Sequence, residues 1–289
     1  MKFLSMNCWL IPFQANFPRV FDLGIKHRST RLTKWLRDHS GADGFDVILL
    51  QEVWSSGSWL AGLIDYLVDY QIFEGRHLRE QLMHIYPFVS NPGGVDWNLI
   101  RKQFLDSGLI IASKYPIISQ AFVAYSGDVH GVDGFAKKGC LVVALKFPDG
   151  SIGIVATTHL YAGPEGFIRL NQVRTALAFI AGFASSIPEK DKIIMRMFAG
   201  DFNIPSDSAD YSDLAAVMKE EGFSDEGATV PTSDQAPNPP QRIDYVWLAR
   251  GSNMTGNSAS ATVTERSATD RDLWAGRRLE ILSEDYRNI

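Results

Sequence analysis

Cysteine is scarce: Cys8 and Cys140 are the two in 289 residues, and both sit inside apolar runs. A disulfide framework is not indicated, and the pair reads as small buried hydrophobes of a protein from a reducing compartment. No run approaches the roughly 18 apolar residues that a membrane-spanning helix needs, so membrane contact is expected to be peripheral. The opening Met1-Lys2-Phe3-Leu4-Ser5-Met6 imitates a signal peptide, but Asn7 and Gln14 interrupt it and no small-residue cleavage site follows. It reads as a first strand, which points to an intracellular, cytoplasmic or peripheral-membrane protein. An excess of basic residues is also missing. The formal charge of −5 disfavours nucleic acid as partner, although a local basic groove is compatible with an acidic average. No feature demands an obligate protein partner.

Linkers and repeats are absent too, and 45% hydrophobic residues can bury a large core, so residues 1–289 read as a single domain. From about residue 255 the periodicity is poor, and 255–289 reads as an atypical or incomplete C-terminal segment. Strands are expected at Lys2 to Asn7, Asp46 to Val53, Gly108 to Ser113, Gln120 to Tyr125, Gly139 to Phe147, Ser151 to His159, Ile193 to Phe198 and Ile243 to Ala249. Helices are expected around Leu32 to Leu36, Trp59 to Leu67, Glu165 to Ser186 and Ser208 to Glu221, where apolar residues recur at helical spacing. Segments 12–22, 85–107, 125–138 and 223–241 read as loops. Strands and helices alternate early and late, with consecutive strands between. That order predicts an α/β (α+β) fold: a four-layer sandwich of two mixed β-sheets packed face to face, with helices on both outer sides.

Ala199-Gly200-Asp201-Phe202-Asn203-Ile204-Pro205 follows an apolar run and places a carboxylate and an amide on one side of the emerging chain. Such residues at a strand-to-helix turn also serve as simple caps. The motif is not isolated, because Asn7, Glu52, His159 and Asp244 stand in the same context, at or just after an apolar strand. Burying one carboxylate costs several kcal/mol unless it is paired or metal-bound. Several converging carboxylates call for a cation. The set is rich in oxygen, with no cysteine and one histidine, which suits Mg²⁺ first and Mn²⁺ next, ahead of zinc.

The ordered set Asn7, Gln51-Glu52, Thr158-His159-Leu160, Gly200-Asp201-Phe202-Asn203 and Arg242-Ile243-Asp244-Tyr245 resembles the endonuclease/exonuclease/phosphatase superfamily, whose fold is DNase I-like. Within it the chain is most similar to neutral sphingomyelinases. Met6-Asn7-Cys8-Trp9-Leu10-Ile11-Pro12, Lys26-His27-Arg28, Glu52-Val53-Trp54-Ser55, Ser107-Gly108-Leu109 and Ser113-Lys114-Tyr115-Pro116-Ile117 carry that likeness, and His159-Leu160-Tyr161-Ala162 resembles the family's His-Leu-His-Ala. The resemblance implies a Mg²⁺-dependent phosphodiesterase acting on sphingomyelin or a related phospholipid at a membrane surface, releasing ceramide and phosphocholine. It implies that Glu52, Asn7 and Asp201 hold the metal, that Asn203 and His159 donate hydrogen bonds to non-bridging oxygens, and that Asp201 orients or helps deprotonate water. It also implies that Asp133 positions Lys138 near the reacting group; as a bare sequence feature, Lys138 beside Lys137 also fits an ordinary solvated charge. Trp9 and Trp54 read as packing. The stretches Ile11 to Phe21 and Tyr86 to Phe104 could supply membrane contacts or pack in the core.

The pattern breaks at its end. The family closes on Ser-Asp-His before a last core strand, the histidine being a general base oriented by the aspartate that matches Asp244, yet no histidine follows His159. The nearest counterpart, Leu282-Ser283-Glu284-Asp285-Tyr286, puts Asp285 in its place, with only Tyr286 to Ile289 after it. Three readings stay open: an aberrant terminus, Asp285 as a substitute base, or a silent relative that binds metal and lipid without turnover. Another phosphodiesterase or nuclease of the superfamily is the further alternative.

Overall fold

The structure is a computed structural model, which describes residues 1–8, 10, 28–55, 74–91, 93, 105–126, 136–226 and 242–251, with the strand backbones of 260–262 and 277–282. The helix expected around Trp59 to Leu67 and the apolar stretch Ile11 to Phe21 lie outside the described residues, as do Trp9, Asp133 and Asp285.

Among the described residues, two six-stranded sheets are present. The first contains β1 (Phe3–Asn7), β2 (Val47–Gln51), β3 (Phe88–Val89), β4 (Ile110–Ser113), β11 (Ser260–Thr262) and β12 (Arg277–Leu282), in the order β11-β12-β1-β2-β4-β3. The second contains β5 (Ile117–Ala124), β6 (Gly139–Lys146), β7 (Ile152–His159), β8 (Ile193–Asp201), β9 (Ser224–Asp225) and β10 (Asp244–Arg250), in the order β5-β6-β7-β8-β10-β9. Both sheets are mixed, since β1 and β2 run parallel, as do β7 and β8, while the other pairings are antiparallel.

Side-chain alternation builds the layers. Phe3, Val47, Leu49 and Ile111 face Leu141, Val143, Val155, Met197 and Val246 between the sheets. The intervening residues of the first sheet, Leu4, Met6, Ile48, Leu50 and Ile110, pack against Leu32 and Leu36 of α1 (Arg28–Asp38) and Leu78 and Leu82 of α2 (Glu74–Ile85). On the far side, Val142, Ile154, Phe198 and Trp247 meet Val173, Leu177 and Ile180 of α3 (Gly166–Ser186) and Leu214 and Met218 of α4 (Ala209–Glu220). The i, i+3 and i, i+4 spacing of these helical residues creates the buried stripes. The four-layer sandwich read from the sequence is the observed architecture.

Several local expectations are corrected. The helix α2 stands where none was expected, because its sequence offers one narrow apolar stripe, Leu78, Leu82 and Ile85, on an otherwise polar segment with a glycine in its first turn. The loop segments 85–107 and 223–241 each contain a two-residue strand, β3 and β9, too short to show a period of two. The fifth strand begins at Ile117 rather than Gln120, with an irregularity between Ile117 and Ser119.

The poorly periodic end also supplies strands. β12 pairs antiparallel with β1, Ser5 opposite Arg277 and Phe3 opposite Leu279, and β11 pairs with β12. Among the described residues the last strand is Arg277–Leu282, which precedes the Ser283-Glu284-Asp285 counterpart of the family motif in the sequence.

Candidate functional site

The polar set gathers where parallel strands end together. Asn7 closes β1 and pairs with Gln51, the last residue of β2, while His159 closes β7 and pairs with Asp201, the last residue of β8. Asp244 opens β10 opposite Asp201. Glu52 follows β2 directly. Thus one edge of the sandwich receives residues from both sheets. Gln51, fully buried, ties those sheets, its Nε2 donating to Thr157 Oγ1 at 2.9 Å and Ser5 Oγ at 3.3 Å.

Backbone geometry at this edge is unusual in a way that serves the side chains. Among the described residues other than glycine, Glu52 (φ 56°) and Asn203 (φ 51°) have positive φ. Such conformations persist where surrounding contacts over-determine them, and they cluster at functional sites. Gly200, at φ 146°, sits so close to the Thr158 carbonyl that a β-carbon would collide with it. Only glycine lets β8 approach β7 there. Beyond it the Tyr245 hydroxyl donates to the Ile204 carbonyl at 2.6 Å and anchors the far side of the Asp201 to Pro205 turn.

The contacts converge on two carboxylates. Asn7 Nδ2 donates to Glu52 Oε1 at 2.7 Å and to Asp201 Oδ2 at 3.0 Å, so one amide lies between both acids. Asp201 Oδ1 accepts from the Asn203 backbone N–H at 2.9 Å. Burial pushes the Glu52 carboxyl up to about 7, and the negative charge of Asp201 adds to the rise, against the lowering influence of the Asn7 hydrogen bond and of the Lys138 charge. Trp54, read from the sequence as packing, is buried beside the site. Its ring lies 6.1 Å from that of His159, and that placement required the fold to be seen.

Lys138 is buried, which removes the solvated-charge reading. Its ammonium lies 3.3 Å from His159 Nε2 and donates to the Leu160 carbonyl at 2.7 Å. An ammonium offers donors only, so Nε2 accepts and the imidazole proton sits on Nδ1. Burial, aided by the Lys138 charge, holds the His159 pKa well below its ordinary value, so the ring is neutral and its 3.9 Å approach to Glu52 Oε1 is no ion pair. Asn203 Nδ2 donates to the same Leu160 carbonyl at 3.0 Å. The expected role of His159 and Asn203 as donors to a substrate is therefore not displayed in this arrangement, where Nε2 accepts and the Asn203 amide is turned inward. Asn7, Glu52, Lys138, His159, Asp201, Asn203 and Asp244 all come to this edge; Asp133 lies outside the described residues.

The residues fit a hard cation. Two carboxylates and an amide share one buried place. Among the described residues no three His, Cys, Asp or Glu side chains gather as a metal cage. Asn7 Nδ2 stands between the two acids, where a cation would sit; with its amide turned to present Oδ1, Asn7 would complete an oxygen set of Mg²⁺ or Mn²⁺ type.

Residues 4–260 match the family model described as Endonuclease/Exonuclease/phosphatase family. The chain belongs to this family. An inositol phosphosphingolipids phospholipase C from Schizosaccharomyces pombe is 25% identical over 299 aligned positions, covering 97% of this chain and 59% of the relative. Human sphingomyelin phosphodiesterase 2 is 29% identical over 169 positions, covering 56% of this chain and 31% of that protein. The family member thus spans about three fifths of the yeast relative's length and under a third of the human one. Among solved structures, sphingomyelinase C from Streptomyces griseocarneus superposes with a TM-score of 0.61 at 20% identity, covering 98% of this chain and 96% of that one. Staphylococcus aureus beta toxin 275-280 superposes with a TM-score of 0.68 at 16% identity, covering 98% and 100%. These likenesses establish the fold.

Proposed function

We propose that this family member is a Mg²⁺-dependent phosphodiesterase of sphingomyelinase type, hydrolysing sphingomyelin or a related phosphosphingolipid at a membrane surface, with Mn²⁺ as an alternative ion. The observation that carries the reading is the Asn7 amide bridging Glu52 and Asp201. Similarity to a sphingomyelin phosphodiesterase and to an inositol phosphosphingolipids phospholipase C supports the substrate class.

In this reading Glu52, Asp201 and Asn7 hold the cation, which when bound supplies positive charge to a phosphodiester oxygen. The chain's own groups do the rest. Asp201, braced by the Asn203 N–H, orients the attacking water. Lys138 adds positive charge close to the developing negative oxygens, and the neutral His159 fixes that ammonium's place. Water adds to phosphorus, the bond from phosphorus to the ceramide oxygen breaks, and that oxygen leaves with a proton to give ceramide and phosphocholine. Among the described residues no helix is long and apolar enough to cross a membrane, which accords with peripheral docking.

A second reading rests on Asp285 standing where the family's Ser-Asp-His carries its histidine: a silent relative that binds metal and lipid. One assay separates the two. Phosphocholine release from sphingomyelin, against phosphatidylcholine, is expected with Mg²⁺ and is expected to vanish with chelator. No release from either lipid, or release indifferent to chelator, would sink the proposal.

A further inference from the structure

Glu52 occupies a left-handed backbone conformation that something must hold, and a network of contacts holds the residues that follow it, Val53 and Ser55. Arg79 of α2 sends Nη2 to the carbonyl of Val53 at 2.8 Å. Its Nη1 reaches Ser55 Oγ at 2.9 Å and Asp106 Oδ2 at 2.6 Å. Asp106, whose side chain is 1% exposed, closes the loop from the other side. It accepts from Ser55 Oγ at 2.8 Å and from the Gly108 N–H at 2.9 Å, while the Val53 N–H donates to the Gly108 carbonyl at 2.9 Å.

Trp54 is pinned within the same frame. A β-carbon at Gly75, in the first turn of α2, would collide with the Trp54 carbonyl oxygen. The Trp54 ring presses on Gly108, whose φ of 65° and 2.7 Å clearance from an added β-carbon to Cε3 leave room for glycine alone.

We propose that Arg79 is a positioning residue for the candidate cation site: its guanidinium fork, anchored on buried Asp106, holds Val53 and Trp54 so that Glu52 faces Asp201. The proposal rests on the reading of Glu52 as a cation ligand. A plain fastening of α2 to the 105–108 loop would need only the charge pair with Asp106. Positioning needs the fork as well, because one ammonium cannot serve Asp106 and the Val53 carbonyl at once in the geometry a planar guanidinium supplies.

The variant Arg79→Lys separates these roles, since it keeps the charge opposite Asp106 and loses the fork. The full chain would be compared with wild type by thermal unfolding, by calorimetric titration with Mg²⁺ and by amide hydrogen exchange. Positioning predicts a Tm within about 3 °C of wild type, Mg²⁺ affinity weakened about 10- to 100-fold, and about tenfold faster exchange at Val53. Wild-type affinity together with wild-type exchange in Arg79→Lys overturns the proposal, as does an affinity loss that merely tracks a fall in Tm. Should the wild type take up no Mg²⁺, the cation reading fails by itself. Exchange at Val53 then decides the positioning claim: faster in Arg79→Lys supports it, and unchanged overturns it.

Discussion

The ammonium of Lys138 and Nε2 of His159 lie 3.3 Å apart in the buried floor of the site, and this contact fixes the imidazole as a neutral ring protonated at Nδ1. Burial is the larger cause of the depressed His159 pKa and the Lys138 charge the smaller. Lys138→Met should therefore raise that pKa while leaving it below the ordinary histidine value, and should reduce turnover. Nitrogen-15 NMR titration of the ring reads both tautomer and pKa. An unmoved titration would mean that the two groups do not interact.

Glu52 predicts a pH dependence of stability. Its carboxyl is raised from 4.5 to about 7 in the fold, so its stabilising contribution is complete below the unfolded value and is lost as pH rises through about 7. A shift of about 2.5 units corresponds to roughly 3 kcal/mol at about 1.4 kcal/mol per unit. In chelator, wild type should lose this amount relative to Glu52→Gln between pH 4.5 and pH 8. Urea unfolding of both proteins at the two pH values measures it, and parallel pH profiles would contradict the assignment.

Around the Asp201 turn, Asp201→Ala and Asn203→Ala should each lower turnover by about 10² or more, because one removes a candidate ligand and the other the amide that ties the turn to the Leu160 carbonyl and the asparagine suited to its left-handed conformation. Asp213→Ala, on the exposed side of α4, should leave turnover unchanged. Asp210 differs from its neighbour: it accepts from buried Arg169 at 2.9 Å, and Asp210→Ala should cost about 1–3 kcal/mol of stability. Steady-state rates alongside urea unfolding separate the two effects; equal rate losses at Asp201, Asn203 and Asp213 would reduce the motif to a cap.

The terminus carries its own prediction. β12 runs from Arg277, opposite Ser5, toward Leu279, opposite Phe3, so this strand runs away from the Asn7 end of β1. Asp285→His should accordingly change phosphodiesterase activity less than twofold. A gain of about 10² would reinstate Asp285 as a stand-in for the missing general base.

Much of this was legible before the fold was known. Strong apolar runs such as Val47 to Leu50 and Cys140 to Leu145 read as buried strands because every residue in them is apolar, and Asn7, Glu52, His159 and Asp201 were found because polar residues ending such runs must meet partners. What stayed hidden depended on partners distant in sequence. The helix carrying Arg79 shows a narrow stripe and discloses its role only when Asp106 and Val53 are beside it. The inward turn of the Asn203 amide depends on the Leu160 carbonyl, 43 residues away. β12 escaped because Arg277-Arg278-Leu279-Glu280 lacks alternation and owes its place to β1.

The central claim is that Glu52, Asp201 and Asn7 form one hard-cation site. Calorimetric titration of the metal-free protein with Mg²⁺, beside Glu52→Gln, tests it most directly. A binding isotherm in the wild type that weakens at least about tenfold in Glu52→Gln is the predicted result. An isotherm of equal affinity in both proteins, or none in the wild type, would contradict it.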